Sequence, residues 1–228
     1  MTQSSVAILS AGAESASTLS DVVREQLRAD IVAGDWGQEQ KLSIKDLVAR
    51  YGVGASPMRE ALHHLAGEGV VTFQGQRGFA VPPMSLEDLE DLIQVRLLIE
   101  ETAVRQTIAN GDDQWEADVV AALHLLEKKA ARVRQWNDEE TRAFEAVHKT
   151  FHRILYAGAA SARLRNLHST LFDEATRYRR ACITGPADAE KLITDHRELA
   201  RTILSRDVDA AVASIREHLD LTREPTLR

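Results

Sequence analysis

Two histidines stand four residues apart in the apolar segment VHKTFHRIL, residues 147–155. Four residues is just over one helical turn, so His148 and His152 would lie on one face of a helix. His196 and His218 lie on two further apolar stripes with helical spacing. If the three stripes face the interior of a helical bundle, four imidazoles converge there. Imidazole nitrogen binds Zn, Ni, Cu and Fe, so the pattern indicates a metal site; the alternative is four core histidines with satisfied hydrogen bonds.

The elements that would carry these histidines are all helical. From residue 85 to 221 the sequence shows helical periodicity with short breaks such as NGDD, WND and TGPAD, and no strand-like run. This pattern predicts six helices, at residues 86–109, 114–135, 138–157, 161–182, 187–205 and 207–222. Short connections favour antiparallel neighbours, and therefore an all-α antiparallel helical bundle.

The residues before this bundle follow a different pattern. Helical spacing predicts helices at 19–32 and 43–51, and a third helix with Ser56 as N-cap and Pro57 as its first residue. The segment VVTFQGQRGFAV predicts a β-hairpin, and Pro82 and Pro83 indicate a linker. Three helices and a hairpin form a winged helix-turn-helix.

The predicted fold class is therefore mainly α, with a winged helix-turn-helix followed by an antiparallel helical bundle. The expected divisions are a Ser/Ala-rich disordered tail at residues 1–17, the winged helix-turn-helix at 18–81, a linker at 82–85 and the bundle at 86–222.

Composition limits the protein classes that fit. The chain has 228 residues, of which 44% are hydrophobic and 28% charged, as expected of a globular protein with a core. The single cysteine, Cys182, excludes an intrachain disulfide, and no apolar run approaches the roughly 18 residues of a membrane span. Residues 1–17 contain no Lys or Arg and do not read as a secretion signal. We therefore expect a cytoplasmic protein with no membrane partner.

Catalytic patterns are missing from the sequence. HKTFH lacks the glutamate of H-E-x-x-H, and no Glu-x-x-His pair of the di-iron type, Ser-His-Asp pattern or Gly-rich phosphate loop occurs. A metal-dependent helical-bundle enzyme is therefore the weaker alternative, and we expect no enzyme.

The winged helix-turn-helix predicts contact with double-stranded DNA. In this motif the third helix places its N-terminal residues at the bases of the major groove, here Ser56, Met58 and Arg59. One turn on, His63 would reach the DNA backbone, and Arg77, near the wing tip, a neighbouring groove or phosphates. Residues 18–82 hold seven Lys/Arg and eight Asp/Glu, and the chain carries a net charge of −7. The attraction would depend on a local basic stripe, and the alternative is a protein-interaction module. That stripe would consist of Lys45, Arg50, Arg59 and Arg77.

The segment from Ile31 to Val81 resembles the DNA-binding domain of the GntR family of bacterial transcription regulators. The resemblance lies in an ordered series of matches: the Gly34 turn, GV at 52–53, PMREAL at 57–62, EGVV at 68–71 and RGFAV at 77–81. The helical part resembles the FCD effector domain of the FadR-like branch, in its shorter six-helix variety.

The resemblance implies which residues read DNA. The family's operator-reading positions correspond here to Lys45, Gly54, Ala55, Ser56 and Arg59. Where the family usually has Ser-Arg, this chain has Gly54-Ala55. Losing that arginine removes a base or phosphate contact worth roughly 1–3 kcal/mol if it specifies a base, so the operator should differ from those of relatives.

The FCD resemblance also implies a divalent metal, most simply Zn, with Ni as an alternative. Many FCD domains hold a metal with an Asp-x-x-x-His pair and one histidine from each of two later helices. The histidines match His152, His196 and His218, while His148 stands where the aspartate is expected. Either His148 replaces the carboxylate as a fourth ligand, which is the interpretation we favour, or three histidines hold the metal.

An effector site is implied in the same way. Arg96 matches the FCD arginine that faces the pocket and could bind a small carboxylate in a bidentate manner. Its alternative role is a salt bridge to Glu100, four residues on. His168 and Arg177 are weaker candidates for the pocket lining. The resemblance thus implies a homodimeric, ligand-responsive transcription regulator of bacterial metabolism, with operator DNA and a small carboxylate as partners; a purely structural metal is the main alternative.

Overall fold

The computed structural model describes residues 18–133, 137–182 and 186–223, so the tail expected at 1–17 lies outside the described residues. The described chain is mainly helical, as the sequence predicts. Its N-terminal part consists of α1 Leu19–Val32, β1 Lys41–Leu42, α2 Ile44–Tyr51, α3 Ala55–Gly67, β2 Thr72–Phe73 and β3 Phe79–Ala80. Its C-terminal part consists of α4 Leu86–Asn110, α5 Asp113–Ala130, α6 Asp138–Leu155, α7 Ala162–Cys182, α8 Pro186–Leu204 and α9 Val208–Arg223.

Side-chain caps fix where several helices begin. The hydroxyl of Thr18 accepts from the backbone N–H of Asp21 in a capping box at the start of α1. Ser85, Asp112 and Asn137 cap α4, α5 and α6 in the same manner, each accepting from the backbone N–H three residues on. The sequence therefore predicts these starts to within a residue.

Helix α5 ends earlier than the predicted residue 135. The backbone N–H groups of Arg132 and Val133 bond to the carbonyls of Lys129 and Ala130, three residues back. This tightening to a 3₁₀-type spacing closes the helix at Ala130.

The wing is a three-stranded antiparallel sheet of strand order β1-β3-β2. The hairpin β2–β3 follows the prediction, with Phe73 opposite Phe79. Strand β1 was not predicted, and it pairs Leu42 with Phe79 on the other side of β3. Two residues are too few to show the alternation by which a strand is recognised in a sequence.

Two separate hydrophobic cores lie in the two parts. The first joins α1, α2, α3 and the sheet, and it includes Leu27, Leu47 and Leu62. The second lies inside the bundle and includes Phe144, Phe151 and Ile215. Residues 81–85, which contain the two prolines, have no helix or strand. Each part thus has the core of an independent domain.

Polar contacts also join the two parts. Arg142 of α6 contacts the carboxylates of Asp30 and Asp35, at the C-terminal end of α1 and just beyond it. Arg177 of α7 donates from Nη2 to the carbonyl oxygen of Pro82, at 2.8 Å. Within the described residues, no helix combines the length and apolar character needed to cross a membrane.

Candidate metal centre and nucleic-acid interface

Three histidine side chains meet inside the bundle with the same nitrogen atom of each ring. The Nε2 atom of His148 lies 3.1 Å from Nε2 of His152 and 2.6 Å from Nε2 of His196. The distance between Nε2 of His152 and Nε2 of His196 is 3.0 Å. All three side chains are buried. Helix α6 supplies two of them from one face, as the four-residue spacing predicts, and α8 supplies the third.

The other ring nitrogens fix two of the tautomers. Nδ1 of His148 lies 3.2 Å from Oε2 of Glu145, and Nδ1 of His196 lies 2.6 Å from the carbonyl oxygen of Leu192. Carboxylate and carbonyl oxygens only accept, so each Nδ1 carries the proton. The neutral rings of His148 and His196 therefore direct bare Nε2 lone pairs at each other.

The rings are neutral because they are buried. Burial lowers the pKa of His148 to about 4 and lowers the pKa values of His152 and His196 well below the ordinary range. Two bare nitrogens 2.6 Å apart repel each other, and one proton could bridge only one pair of the three atoms. A divalent cation bound to all three Nε2 atoms would remove this repulsion, so the donor set fits a metal that accepts nitrogen ligands.

A second layer of charged groups holds the first ligand in place. Burial alone would raise the pKa of Glu145, but Arg179 and His148 bring it to about 2. Arg179 donates from Nη2 to Oε2 of Glu145 at 2.7 Å. Carboxylates that accept from the far nitrogen of a ligating histidine fix its ring orientation. Glu145 was not among the predicted site residues, although a carboxylate three residues before His148 is visible in the sequence.

His218 lies beside the three histidines without joining their contact. Its ring centroid is 4.8 Å from that of His196 and 5.1 Å from that of His152. Its Nδ1 lies 2.5 Å from Oδ2 of Asp195, so Nδ1 of this ring also carries a proton. Of the four predicted ligands, the structure brings together three and places the fourth next to them.

Arg96 is buried and forms the salt bridge that was its alternative role. Its Nε donates to Oε1 of Glu100 at 2.9 Å, and Tyr156 donates its hydroxyl to Oε2 at 2.8 Å. Burial would raise the pKa of Glu100, but Arg96 and His168 lower it, so the carboxylate is charged. Nη2 of Arg96 has no hydrogen-bond partner of suitable geometry, although Oε1 lies 2.7 Å away. One edge of the guanidinium therefore remains able to donate.

His168 lies in the same interior, whereas Arg177 does not. Nε2 of His168 is buried without a hydrogen-bond partner, 3.9 Å from Oε1 of Glu100. The Phe172 ring, 6.1 Å from His168 between ring centroids, contacts the rings of both His148 and His152. Arg177 instead binds the linker carbonyl of Pro82, so its expected place in the pocket lining is wrong.

The third helix starts two residues earlier than the sequence suggests. Gly54 is its N-cap, with an extended backbone, and its carbonyl accepts from the N–H of Met58. Ser56 is therefore the second helical residue and not the cap. Pro57 is still within the first turn, where an absent N–H leaves no helical bond unmade.

One of the predicted DNA contacts is wrong. Met58 is fully buried in the N-terminal core and has no surface to offer a base. The helical period places Arg59 on the opposite side, where it is exposed. Lys45, Ser56 and Arg77 are exposed as well.

His63 is exposed, but its ring is held by the wing. Its centroid lies 5.3 Å from that of Phe73 and 5.0 Å from that of Phe79, both in edge-to-face arrangements. Aromatic contacts of this geometry are attractive. His63 therefore connects α3 with β2 and β3, a role that its sequence position does not reveal.

Both parts of the chain match known families. Residues 91–221 match the FCD domain, and residues 19–81 match the family described as bacterial regulatory proteins, gntR family. The chain is 34% identical over 206 residues to the HTH-type transcriptional repressor GlaR of Escherichia coli (strain K12), covering 89% of this chain and 92% of that protein. It is also 34% identical over 203 residues to the uncharacterized HTH-type transcriptional regulator BphR of Paraburkholderia xenovorans (strain LB400), covering 89% and 83%.

Solved structures show the same arrangement of domains. E. coli McbR/YncC superposes with a TM-score of 0.78 at 19% sequence identity, covering 93% of this chain and 98% of the other. A putative transcriptional regulator GntR from Rhodococcus sp. RHA1 superposes with a TM-score of 0.72 at 22% identity, covering 91% and 97%. At these identities the likeness establishes the fold alone.

Proposed function

This chain belongs to the GntR family of bacterial regulatory proteins and is a DNA-binding transcription regulator with an FCD domain, and we propose that a small carboxylate bound beside a metal in its bundle controls its affinity for operator DNA. The observation that carries the proposal is the convergence of the Nε2 atoms of His148, His152 and His196 in the bundle interior that also holds the buried Arg96 and His168. The relatives and families that match are regulators, and the chain is not an enzyme.

The metal would be held by His148, His152 and His196, with His218 as the fourth ligand once its ring turns toward the centre. Zinc suits a buried all-nitrogen site, with nickel as the alternative. A divalent metal there supplies a Lewis-acidic position for an anionic oxygen. Glu145 would hold the ring of His148, and Asp195 the ring of His218, by accepting a hydrogen bond from Nδ1 of each ring.

The carboxylate would bind between this centre and Arg96. Nε2 of His168 is buried without a hydrogen-bond partner, and Nη2 of Arg96, although 2.7 Å from Oε1 of Glu100, makes no hydrogen bond of suitable geometry. Buried groups with unused hydrogen-bonding capacity are costly unless a ligand or water satisfies them. Glu100 and Tyr156 hold the guanidinium in position. A carboxylate bound there would use this hydrogen-bonding capacity, whereas a metal that served only to stabilise the bundle would not.

On the DNA side, we assign base reading to the exposed first turn of α3 and phosphate contact to its flanks. Ser56 and Arg59 would face the bases, while Lys45 and Arg77 would contact the backbone. We assign His63 to positioning of the wing and not to contact with the DNA backbone. The free N–H groups of the first helical turn, next to Gly54, add donors for a phosphate.

We propose a homodimer, because two-fold symmetry places two reading helices on two half-sites. Leu98 of α4 is 67% exposed, and Val95 on the same helix face is 39% exposed. We expect this apolar face to be the contact between protomers. Light scattering should then show a dimer that Leu98→Glu dissociates, whereas Leu167→Glu, at a position 51% exposed on α7, should leave it intact.

The effector proposal is tested by fluorescence anisotropy with labelled operator DNA. Metal-loaded and metal-free full-length protein are titrated with a panel of small mono-, di- and tricarboxylates. We expect one of the acids to change operator affinity at least tenfold in the loaded protein only. Unchanged affinity across the panel, in protein shown to contain metal, would leave a purely structural metal as the correct interpretation.

A further inference from the structure

A narrow opening lies between α6 and α7, above the part of the bundle interior that contains His168. Its volume is about 30 Å³, and its inner end is formed by Tyr156, His168 and Phe172. This volume accommodates water, and a larger ion would pass only if the side chains at the rim swing aside.

The charged side chains that line the rim of this opening are all cationic. Lys149, Arg153 and Arg165 line it, and no acidic residue does. The chain as a whole carries a net charge of −7, so this local excess of cations runs against the overall balance. It can attract an anion from solution.

The three cations differ in how firmly they are held. Lys149 bonds through Nζ to both carboxylate oxygens of Asp173 at 2.7 Å, and Arg165 donates to the carbonyl of Ala159. Arg153 is exposed and has no ion-pair or hydrogen-bond partner within the described part of the chain. It is therefore the side chain best able to move with a passing ion.

Beneath the rim, the opening leads to the unpartnered groups of the interior. Its lining includes His168, whose Nε2 has no partner and lies 3.9 Å from the carboxylate paired with Arg96. The Phe172 ring on the same wall is 5.3 Å from His148 and 5.0 Å from His152, between ring centroids. An anion that enters here first meets His168, which neighbours both the Arg96–Glu100 pair and, at 6.3 Å between ring centroids, His152.

We propose that Lys149, Arg153 and Arg165 form a cationic portal that admits anionic ligands, selecting them by charge and speeding their arrival at the buried centre. This inference rests on the proposed metal and effector site but concerns residues outside it. Because attraction at a distance is screened by salt, the portal acts on the association rate at low ionic strength and little at high ionic strength.

The test uses full-length protein loaded with Co²⁺, whose visible absorption reports ligands that bind the metal. Stopped-flow association rates are measured for azide, a small anion, and for imidazole at pH 8, a largely neutral metal ligand. The variant Arg153→Gln/Arg165→Gln removes two positive charges from the rim. Arg105→Gln/Arg201→Gln is the matched control, because it removes two exposed charges elsewhere on the bundle.

We expect the rim variant to bind azide about three to ten times more slowly than the control at low salt, with the difference disappearing at about 0.3 M ionic strength. Imidazole should bind at equal rates to both variants. Equal azide rates in the two variants, or an equal slowing for imidazole, would overturn the portal while leaving the metal site intact. Failure of the protein to take up Co²⁺ would overturn the metal site, and the portal with it.

Discussion

The proton on Nδ1 decides what the histidine cluster can do. Glu145 and the carbonyl of Leu192 each hold such a proton, and this leaves Nε2 of His148 and His196 free to share a cation. A histidine with its proton on Nε2 would direct an N–H group toward the cluster. That nitrogen could not bind a metal. Tautomer control by neighbouring oxygens is thus part of the site.

Substituting His152 should abolish metal binding. His152→Ala removes one of three converging donors, so we expect near-stoichiometric metal in the wild type and essentially none in the variant, as measured by elemental analysis of untagged protein. His124→Ala, at an exposed histidine of α5, is the matched control and should retain the metal. Metal retained by His152→Ala would contradict the assignment of the cluster as ligands.

Substitutions at two adjacent residues of α3 should affect different properties, operator affinity in one case and stability in the other. Arg59→Ala should weaken operator binding by about 1–3 kcal/mol without loss of stability, because its side chain is exposed. Met58→Ala should lower the free energy of unfolding by roughly 2–5 kcal/mol, because it opens a cavity in the N-terminal core. Anisotropy with operator DNA and urea unfolding measure the two effects. Equal operator affinity for Arg59→Ala and the wild type would refute the base-reading role.

The sequence predicts the role of a residue where that role follows from the residue type and the helical spacing. It does not predict the role where a neighbouring group decides it. The helix faces of His148, His152 and His196 follow from the spacing of apolar residues. Which nitrogen His148, His196 and His218 offer depends on Glu145, Leu192 and Asp195, and that is a matter of rotamers and distances. Arg96 forms the salt bridge of its alternative role, with Nε donating to Glu100, while its contact with a carboxylate stays a prediction.

At the scale of elements, the turn between α4 and α5 is packed so closely that residue 111 has no room for a side chain. A Cβ on Gly111 would lie 2.3 Å from Cε3 of Trp115, although the backbone conformation there suits any residue. The indole is buried and donates from Nε1 to the carbonyl of Ile154, at 3.2 Å. Trp115 therefore cannot move aside without breaking its contact with α6.

Gly111→Ala should consequently destabilise the bundle by roughly 1–3 kcal/mol, the usual cost of overpacking. Gly67→Ala is its control, because a Cβ there would meet nothing within 4 Å. Since Gly67 lies in α3, alanine should leave stability unchanged or raise it by up to about 1 kcal/mol. Thermal unfolding distinguishes the two variants, and equal midpoints would show that the turn has room.

The long helices were predictable because periodicity and caps agree. Thr18, Ser85 and Asn137 each combine a capping side chain with the start of an apolar stripe, and the observed helices begin at the next residue. The start of α3 was misplaced because Ser56 looks like a cap, whereas the glycine two residues earlier takes the extended conformation. Strand β1 was missed because it exists only through its pairing with β3.

At the scale of the molecule, one arginine joins α6, the helix that carries His148 and His152, to the DNA-binding domain. Arg142 lies six residues before His148 on α6 and contacts Asp30 and Asp35, which also pair with Arg50 of α2 at 3.2 and 2.8 Å. A shift of α6 would therefore disturb the contacts that Asp30 and Asp35 make with Arg50 of α2 as well as with Arg142. No sequence pattern predicts a contact between residues more than 100 positions apart.

Arg142→Ala should loosen the junction without unfolding either domain, because a half-exposed ion pair contributes at most about 1 kcal/mol. We expect faster hydrogen exchange at the amides of Ala33 and Gly34, which bond to Ala29 and Ile31 in the last turn of α1. Arg105→Ala, at an exposed ion pair within α4, should leave those amides unchanged. Identical exchange in the two variants would show that the arginine does not hold the domains together.

The same junction limits which chimeric regulators can be built from this chain. A DNA-reading domain grafted from a relative onto this bundle would keep its own operator preference. To respond to the effector that we propose for the bundle, it would need acidic residues where Asp30 and Asp35 stand and a linker carbonyl within reach of Arg177. Biosensor engineering with this protein should therefore transplant the end of α1 together with the bundle.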